Sequence, residues 1–288
     1  MQRQRVTFVR NPDLVARTRR CRDCGYIHIV RPQQSIWKEK DVSSVVPGHN
    51  SRIGTRERAG REFHMAKMAV DMLGRDGVSV LVYGAGTNLD NVHIEKLPEV
   101  DRVAIGDIMK VRDDADFVDL TEPATEQFDI VIASEVVEHF RHPRRDFERL
   151  FGFVKDDGLV VAGTTIHAGN KLNRERYIFY PDHTSYYSPQ SLRLVANRLG
   201  FHLDFRAPMN AAAMRKRYVY FSRSRSVLDD VACYFGTEVY PPSEIPQALQ
   251  PPPQKSHAAW RAPVDSAAAA DGADHGTDDA AEDAADEH

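Results

Sequence analysis

Between residues 78 and about 222 the chain alternates short apolar runs with helical segments, and this alternation is the strongest limit on how it can fold. The runs are VSVLVYG, RVAIGDI, ADFVDL, FDIVIAS and GLVVAGTT. Runs with no polar face must be covered on both sides, which is how strands lie in a parallel sheet between two helical layers. The expected class is therefore α/β. Two further strand-like stretches, FHLDFRA and RYVYFSRS, have no long helix between them. They predict an antiparallel hairpin at the sheet edge.

The flanks read differently. GTRERAGREFHMAKMAVDMLGRDG, from about 54 to 75, predicts a helix whose apolar face is Phe63, Met68 and Met72 or Leu73, stopped by Gly74. Residues 1–53 read as an irregular basic segment, 54–240 as the α/β domain, and 241–288 as a Pro-rich, then Ala/Asp-rich tail. Such a tail has too few apolar side chains to order itself and is expected to be disordered. Hydrophobic content of 42% with 28% charged residues is ordinary for a soluble protein, and no run reaches membrane-span length. The first residues hold no signal-peptide core, and Cys21, Cys24 and Cys233 are too few for a disulfide framework. A cytoplasmic location and no membrane partner are expected; no oligomeric state follows. The net charge of −4 divides into an arginine-rich start and an acidic end. That start is either an attractor of phosphates or nucleic acid, or a solvated surface partly neutralised by the tail.

In VLVYGAGTNLD a strand ends at Tyr83 and turns through Gly84 and Gly86. Glycines there let the backbone come close to a ligand, and the next strand ends about twenty residues on in Asp107, placed for ribose hydroxyls. A dinucleotide fingerprint would need glycine at position 89, where Leu89 stands, and no Gly-Lys-Ser/Thr follows to make a phosphate-binding P-loop.

The order of parts is more specific than any one of them. The glycine turn is followed by Asp107, by FVDL ending in Asp119 and Leu120, by FDIVIASEVVEHF, and by HPRRDFERLFGFVKDDGLVVAGTT. Over roughly residues 60–222 this resembles the class I S-adenosylmethionine-dependent methyltransferases, in the broad group that carries an FDvV…EVxEH pattern. The resemblance implies a seven-stranded, mostly parallel, doubly wound sheet with an antiparallel last strand. It also implies S-adenosyl-L-methionine as cofactor, with Gly84 and Gly86 at its methionine part, Asp107 at the ribose, Asp119 and Leu120 at the adenine, and Ser134 at the donor's border. Two positions depart from the pattern: Val82 stands where many members have an acid, and Asn88 where many have a third glycine.

SEVVEHFRHP places Glu135, Glu138 and His139 at helical offsets, with His142 on the same side and Ser134 as an N-cap. Following a strand end, this face is expected to border the methyl acceptor. His139 can act there as general base, with Glu138 and His183 as further catalytic candidates. Alternatively Glu135, Glu138, His139 and His183 hold Mg²⁺ or Mn²⁺. The ExxEH arrangement resembles metal-dependent 3′-terminal RNA 2′-O-methyltransferases and is also similar to ubiquinone-pathway O-methyltransferases. In RYIFYPDHTSYYSP, Tyr177, Phe179, Tyr180, Tyr186 and Tyr187 surround His183. Such residues can wall a pocket, though most are expected to pack within a lid. CRDCGYIHIVRP looks like one knuckle of a zinc ribbon whose other knuckle is missing. Zinc at Cys21 and Cys24 is not expected, and His28, His49 and His64 stand at no regular ligand spacing. The expected activity is O-methylation of a small-molecule or carbohydrate-like hydroxyl. The alternatives are a metal-dependent RNA ribose 2′-O-methyltransferase and a non-enzymatic adaptor.

Overall fold

The apolar runs do become strands of one sheet, but the arginine-rich start also folds. A computed structural model of the chain describes residues 1–30, 53–180, 182–206 and 216–237. The first strands are β1 (Gln2–Phe8), β2 (Asn11–Arg20) and β3 (Ile27–Val30), paired antiparallel. The expectation of an irregular segment is therefore corrected from Gln2 to Val30. The alternation that makes β1 and β2 strands is masked by arginines at the outward positions. Inward, Val6, Phe8, Ala16, Ile27 and Ile29 are buried. The tail from 241 to 288, Pro-rich and then acidic, and His49 lie outside the described residues.

Helix α1 (Arg61–Leu73) follows and ends at Gly74, whose φ of +57° provides the left-handed cap. Met65, Met68 and Met72 form its buried face, while Phe63 is only partly covered. The main sheet is then built from β4 (Val78–Tyr83), β5 (Val100–Asp107), β6 (Asp116–Asp119), β7 (Phe128–Ser134) and β8 (Val154–Thr165). A short helix, α2 (Asn91–Ile94), and α3 (Pro143–Gly152) lie between them. The two-residue strand β9 (Ser185–Tyr186) leaves this domain and pairs with β3, completing the four-stranded N-terminal sheet. Last come α4 (Pro189–Arg198), β10 (His202–Arg206), β11 (Lys216–Ser222) and α5 (Arg225–Tyr234).

The larger sheet has seven strands in the order β10-β11-β8-β7-β4-β5-β6. Strands β4 to β8 pair parallel, and β11 is antiparallel to both β8 and β10, giving the expected hairpin. Strand β7 is buried along its whole length and feeds both layers. Ile130 and Ile132 pack with Met65, Met68 and Val231, whereas Val131 and Ala133 pack with Phe147, Phe151 and Phe221. Alternation with period two explains the split. Among the described residues, no helix is long and apolar enough to cross a membrane.

A third apolar cluster joins the N-terminal sheet to the insertion that carries β9. Tyr177, Ile178, Phe179 and Tyr186 pack beneath Val6, Phe8 and Ile27. Most aromatics of the insertion thus serve as core, with Tyr186 and Tyr187 fully buried and Tyr180 exposed. They lean on the N-terminal sheet as well as on their own segment.

Candidate active site

The C-terminal ends of the parallel strands meet at the turn after β4. Gly84 and Ala85 donate their N–H groups to the Gly106 carbonyl at 2.7 and 3.1 Å, tying this turn to β5. Gly84 has φ +74°, and a Cβ there would stand 2.6 Å from Val136 Cγ2. Only glycine fits both demands. Asp107 then holds the turn: its Oδ2 accepts from Gly86 N at 2.8 Å and its Oδ1 from Ile108 N at 2.7 Å. A carboxylate has lone pairs beyond those two bonds and can still accept from a diol. Burial pushes the Asp107 carboxyl above the ordinary aspartate value, opposed by the backbone N–H of Gly86 and its neighbours.

Leu120 donates its N–H to the Asp107 carbonyl at 3.0 Å and is buried. Its Cδ2 lies 2.8 Å from where a Gly106 Cβ would be. Gly106 is thus a position that sequence reading missed. Asp119 Oδ1 accepts from Thr121 N and Oγ1 at 2.8 and 2.6 Å. Gly84, Asp107, Ile108 and Leu120 form one wall of a cleft of about 250 Å³; Val136 and residues 139–142 form the other.

The second wall differs from the helix face expected of it. Ser134 is the last residue of β7 rather than a cap, and Glu135 turns the chain with φ +56°. It is the one non-glycine residue with positive φ among those described. Such backbone is costly for a side-chain-bearing residue and is found mostly where a turn must be held for function. Only Val137–His139 then wind, as a 3₁₀ turn. Consequently Glu135, Glu138 and His139 diverge. Glu135 meets Arg61 at 3.8 Å and contacts Lys216. Glu138 is fully buried and accepts from Thr164 Oγ1 at 3.2 Å, and that hydroxyl also pairs with Tyr177 Oη at 3.2 Å. His139 borders the cleft. Among the described residues, no group of three or more His, Cys, Asp or Glu side chains could hold a metal ion. The four-ligand set for Mg²⁺ or Mn²⁺ is therefore not assembled, because the left-handed residue at 135 breaks the helical spacing that would have aligned it. Cys21 and Cys24 are free thiols at the β2–β3 turn and do not line this cleft.

Two histidines do meet. The His139 and His183 rings lie 5.1 Å apart, nearly perpendicular at 82°. His139 Nδ1 sits 3.0 Å from the Asp182 carbonyl oxygen and His183 Nδ1 2.8 Å from that of Tyr177. A carbonyl oxygen can only accept, so each Nδ1 carries a proton and the neutral ring keeps its basic lone pair on Nε2. Burial lowers the proton affinity of His139, with the Asp182 carbonyl opposing. The reverse holds for Glu138, whose carboxyl burial pushes up to about 7.

Two charged residues at the start of α1 were also missed. Asp90, fully buried, accepts from Gly60 N at 2.5 Å and Glu62 N at 3.0 Å, clamping the helix start over the glycine turn. Asn88, in the place of a third glycine, orients it: Asp90 N donates to Asn88 Oδ1 at 2.7 Å. Arg61 and Glu62 pair at 2.9 Å, yet Arg61 Nε and Glu62 Oε2 are buried without a hydrogen-bond partner, as is Ser134 Oγ. Orphaned buried polar atoms cost stability unless a ligand satisfies them. A donor and an acceptor of opposite charge, side by side, suit the zwitterion of an amino acid. The residues present therefore fit a ligand joining an adenosine to an α-amino acid. The sequence signal was a charged pair opening an apolar helix just before the glycine turn.

A family model described as a methyltransferase domain matches residues 62–204. No curated protein matches. Among solved structures, a TehB-like S-adenosylmethionine-dependent methyltransferase from Corynebacterium glutamicum is similar at 17% identity, covering 57% of this chain and 90% of its own, with a TM-score of 0.41. The 1,6-didemethyltoxoflavin-N1-methyltransferase of Burkholderia thailandensis gives 17% identity, 56% and 76% coverage, and 0.42. The magnesium protoporphyrin IX methyltransferase of Synechocystis gives 14% identity, 56% and 79% coverage, and 0.41. The names of these proteins point to different acceptors, so likeness to them carries none to this chain.

Proposed function

Starting from a chain that belongs to the class I S-adenosylmethionine-dependent methyltransferases, we propose that it methylates a hydroxyl of a small or carbohydrate-like acceptor, with His139 as general base. S-adenosylmethionine supplies a methyl group made electrophilic by its sulfonium. The chain's own residues do the rest. Asp107 and Leu120 take the ribose and base side, and Arg61 and Glu62 take the amino-acid end. His139 Nε2 accepts the acceptor's hydroxyl proton as the oxygen becomes the nucleophile. Hydroxyls ionise far above neutrality, so the reaction gains from a base positioned to take the proton during transfer.

One observation carries this reading: His139 lines the same cleft as Gly84, Asp107 and Leu120, and Asp182 fixes its tautomer. The His183 ring stands across from it and Tyr180 is the exposed aromatic near them, with ring centroids 5.1 Å from His183. Glu138 acts as a positioning residue. Its carbonyl accepts from Thr184 N at 2.9 Å, which holds the insertion carrying His183 against the turn carrying His139. The test is incubation of the purified protein with radiolabelled donor and panels of hydroxyl, amine and carbon acceptors. Transfer to hydroxyls, with kcat rising with pH through a histidine value and then levelling, is the expected result. Transfer to amines or carbon alone would overturn the O-methyl assignment.

A further inference from the structure

Strands β1 and β2 carry an unusual pairing. Arg3 lies directly opposite Arg19, and Arg5 opposite Arg17. All four side chains are exposed, while their neighbours Val6, Ala16 and Thr18 are buried. Directly opposed residues share one face of a sheet, and like charges placed so repel. Among the described residues none of the four pairs with a carboxylate, although the chain has more acids than bases. A face that presents four guanidinium groups in a two-by-two array, none paired with a carboxylate among the described residues, complements an anionic partner.

The array also leads somewhere. Arg19 is opposite His28 on β3, and His28 is opposite Ser185 on β9, so Arg3, Arg19, His28 and Ser185 form one row across four strands. Ser185 Oγ donates to the Phe140 carbonyl at 2.6 Å, and Phe140, Arg141 and His142 wall the cleft. Strands lie about 4.8 Å apart, so the row runs roughly 15 Å from Arg3 to Ser185, which is buried behind the wall residue Phe140. A single phosphate would not use such a span, whereas a chain of phosphodiesters would. Guanidinium groups suit phosphates because their fixed fork donates two bonds at once.

We propose that the outer face of the N-terminal sheet binds the phosphodiester backbone of single-stranded RNA and leads it to the cleft bordered by Phe140 and His142. The choice of RNA over DNA rests on the hydroxyl-methylation reading and narrows its carbohydrate-like acceptor to the ribose 2′-hydroxyl, which is what RNA adds. Binding to the arginine face does not depend on that reading.

The experiment measures binding of the full chain to a fluorescently labelled single-stranded RNA of about 20 nucleotides, by anisotropy from about 50 to 200 mM salt. A DNA oligonucleotide of the same sequence and vesicles rich in phosphatidylserine run alongside. The quadruple variant R3Q/R5Q/R17Q/R19Q is expected to bind RNA at least about tenfold more weakly. Its salt slope should be smaller by about 3, since each single-strand phosphate contact contributes about 0.7. Its affinity for S-adenosylhomocysteine should be unchanged, which shows that it is folded. If that affinity falls, the R3E/R5E variant, confined to the edge strand β1, gives the reading instead, and it too must lose RNA. Equal RNA binding by wild type and variants, or binding to the vesicles but not to RNA, overturns the proposal. Failure of the wild type to bind S-adenosylhomocysteine would strike the methyltransferase reading and leave the RNA measurement standing.

Discussion

The two walls of the cleft are built by different means. On the side proposed for the donor, Gly84, Asp107 and Leu120 stand at the ends of adjacent parallel strands, so strand order alone brings them together. Each is held by hydrogen bonds between neighbouring strand ends, such as Gly86 N to the Asp107 carboxylate. On the side proposed for the acceptor, His139 is fixed by Asp182, and His183 by Tyr177, within an insertion that rests on the separate sheet begun by β1, β2 and β3. The donor wall is part of the main core. The turn that carries His139 shares that core through Val137 and Phe140, whereas the insertion that carries His183 rests on a small satellite cluster, so the insertion should fail independently.

The largest expected effect tests the chemistry of the acceptor wall. His139→Ala should lower kcat by about 10²-fold or more while leaving affinity for S-adenosylhomocysteine within about twofold, because general bases typically contribute 10²–10⁴-fold. Steady-state rates together with calorimetry separate these outcomes. Wild-type kcat should rise with pH and reach its plateau by neutrality, because burial holds His139 below the ordinary histidine value.

The satellite cluster is tested next. Ile27 is fully buried beneath the insertion, so Ile27→Ala should cost the cluster about 2–5 kcal/mol. Limited proteolysis should then cut within 175–187 first, with donor affinity intact. Loss of donor binding along with the insertion would show that the walls are coupled.

Glu138 gives a pH signature. Its carboxyl is raised in the folded state, so the native chain holds the proton more tightly than the unfolded one does. Stability should therefore fall as pH rises from the unfolded glutamate value to about 7 and stay low above it. The loss is on the order of 3 kcal/mol at most. Glu138→Gln should remove that slope, melting above wild type at alkaline pH and near it in acid. A parallel pair of melting curves across pH would show that the side chain is not buried as described.

The smallest effect concerns the donor wall. Asp107→Ala removes one acceptor for a ligand diol and the anchor of Gly86, and should weaken S-adenosylhomocysteine binding about tenfold, worth ~1.4 kcal/mol. Unchanged affinity would remove Asp107 from the donor site.

The sequence by itself determined the parallel sheet, the closing hairpin, the glycine turn and the acids at the ends of β5 and β6. All of these follow from local pattern: apolar runs too continuous to face water, and glycine or aspartate at strand ends. Tertiary structure decided the rest. SEVVEHFRHP has helical spacing, yet the chain takes a left-handed turn at Glu135, after which Val136 packs on Gly84 and Val137 is buried. That turn sends Glu138 inward and His139 to the cleft. Strands β1 and β2 were hidden because arginines occupy their outward positions, and their inward residues find a core only against residues 177–186. Contacts between segments so far apart along the chain leave no mark on local periodicity. A sequence therefore displays the wall that its own strands build and conceals the wall that needs a distant partner.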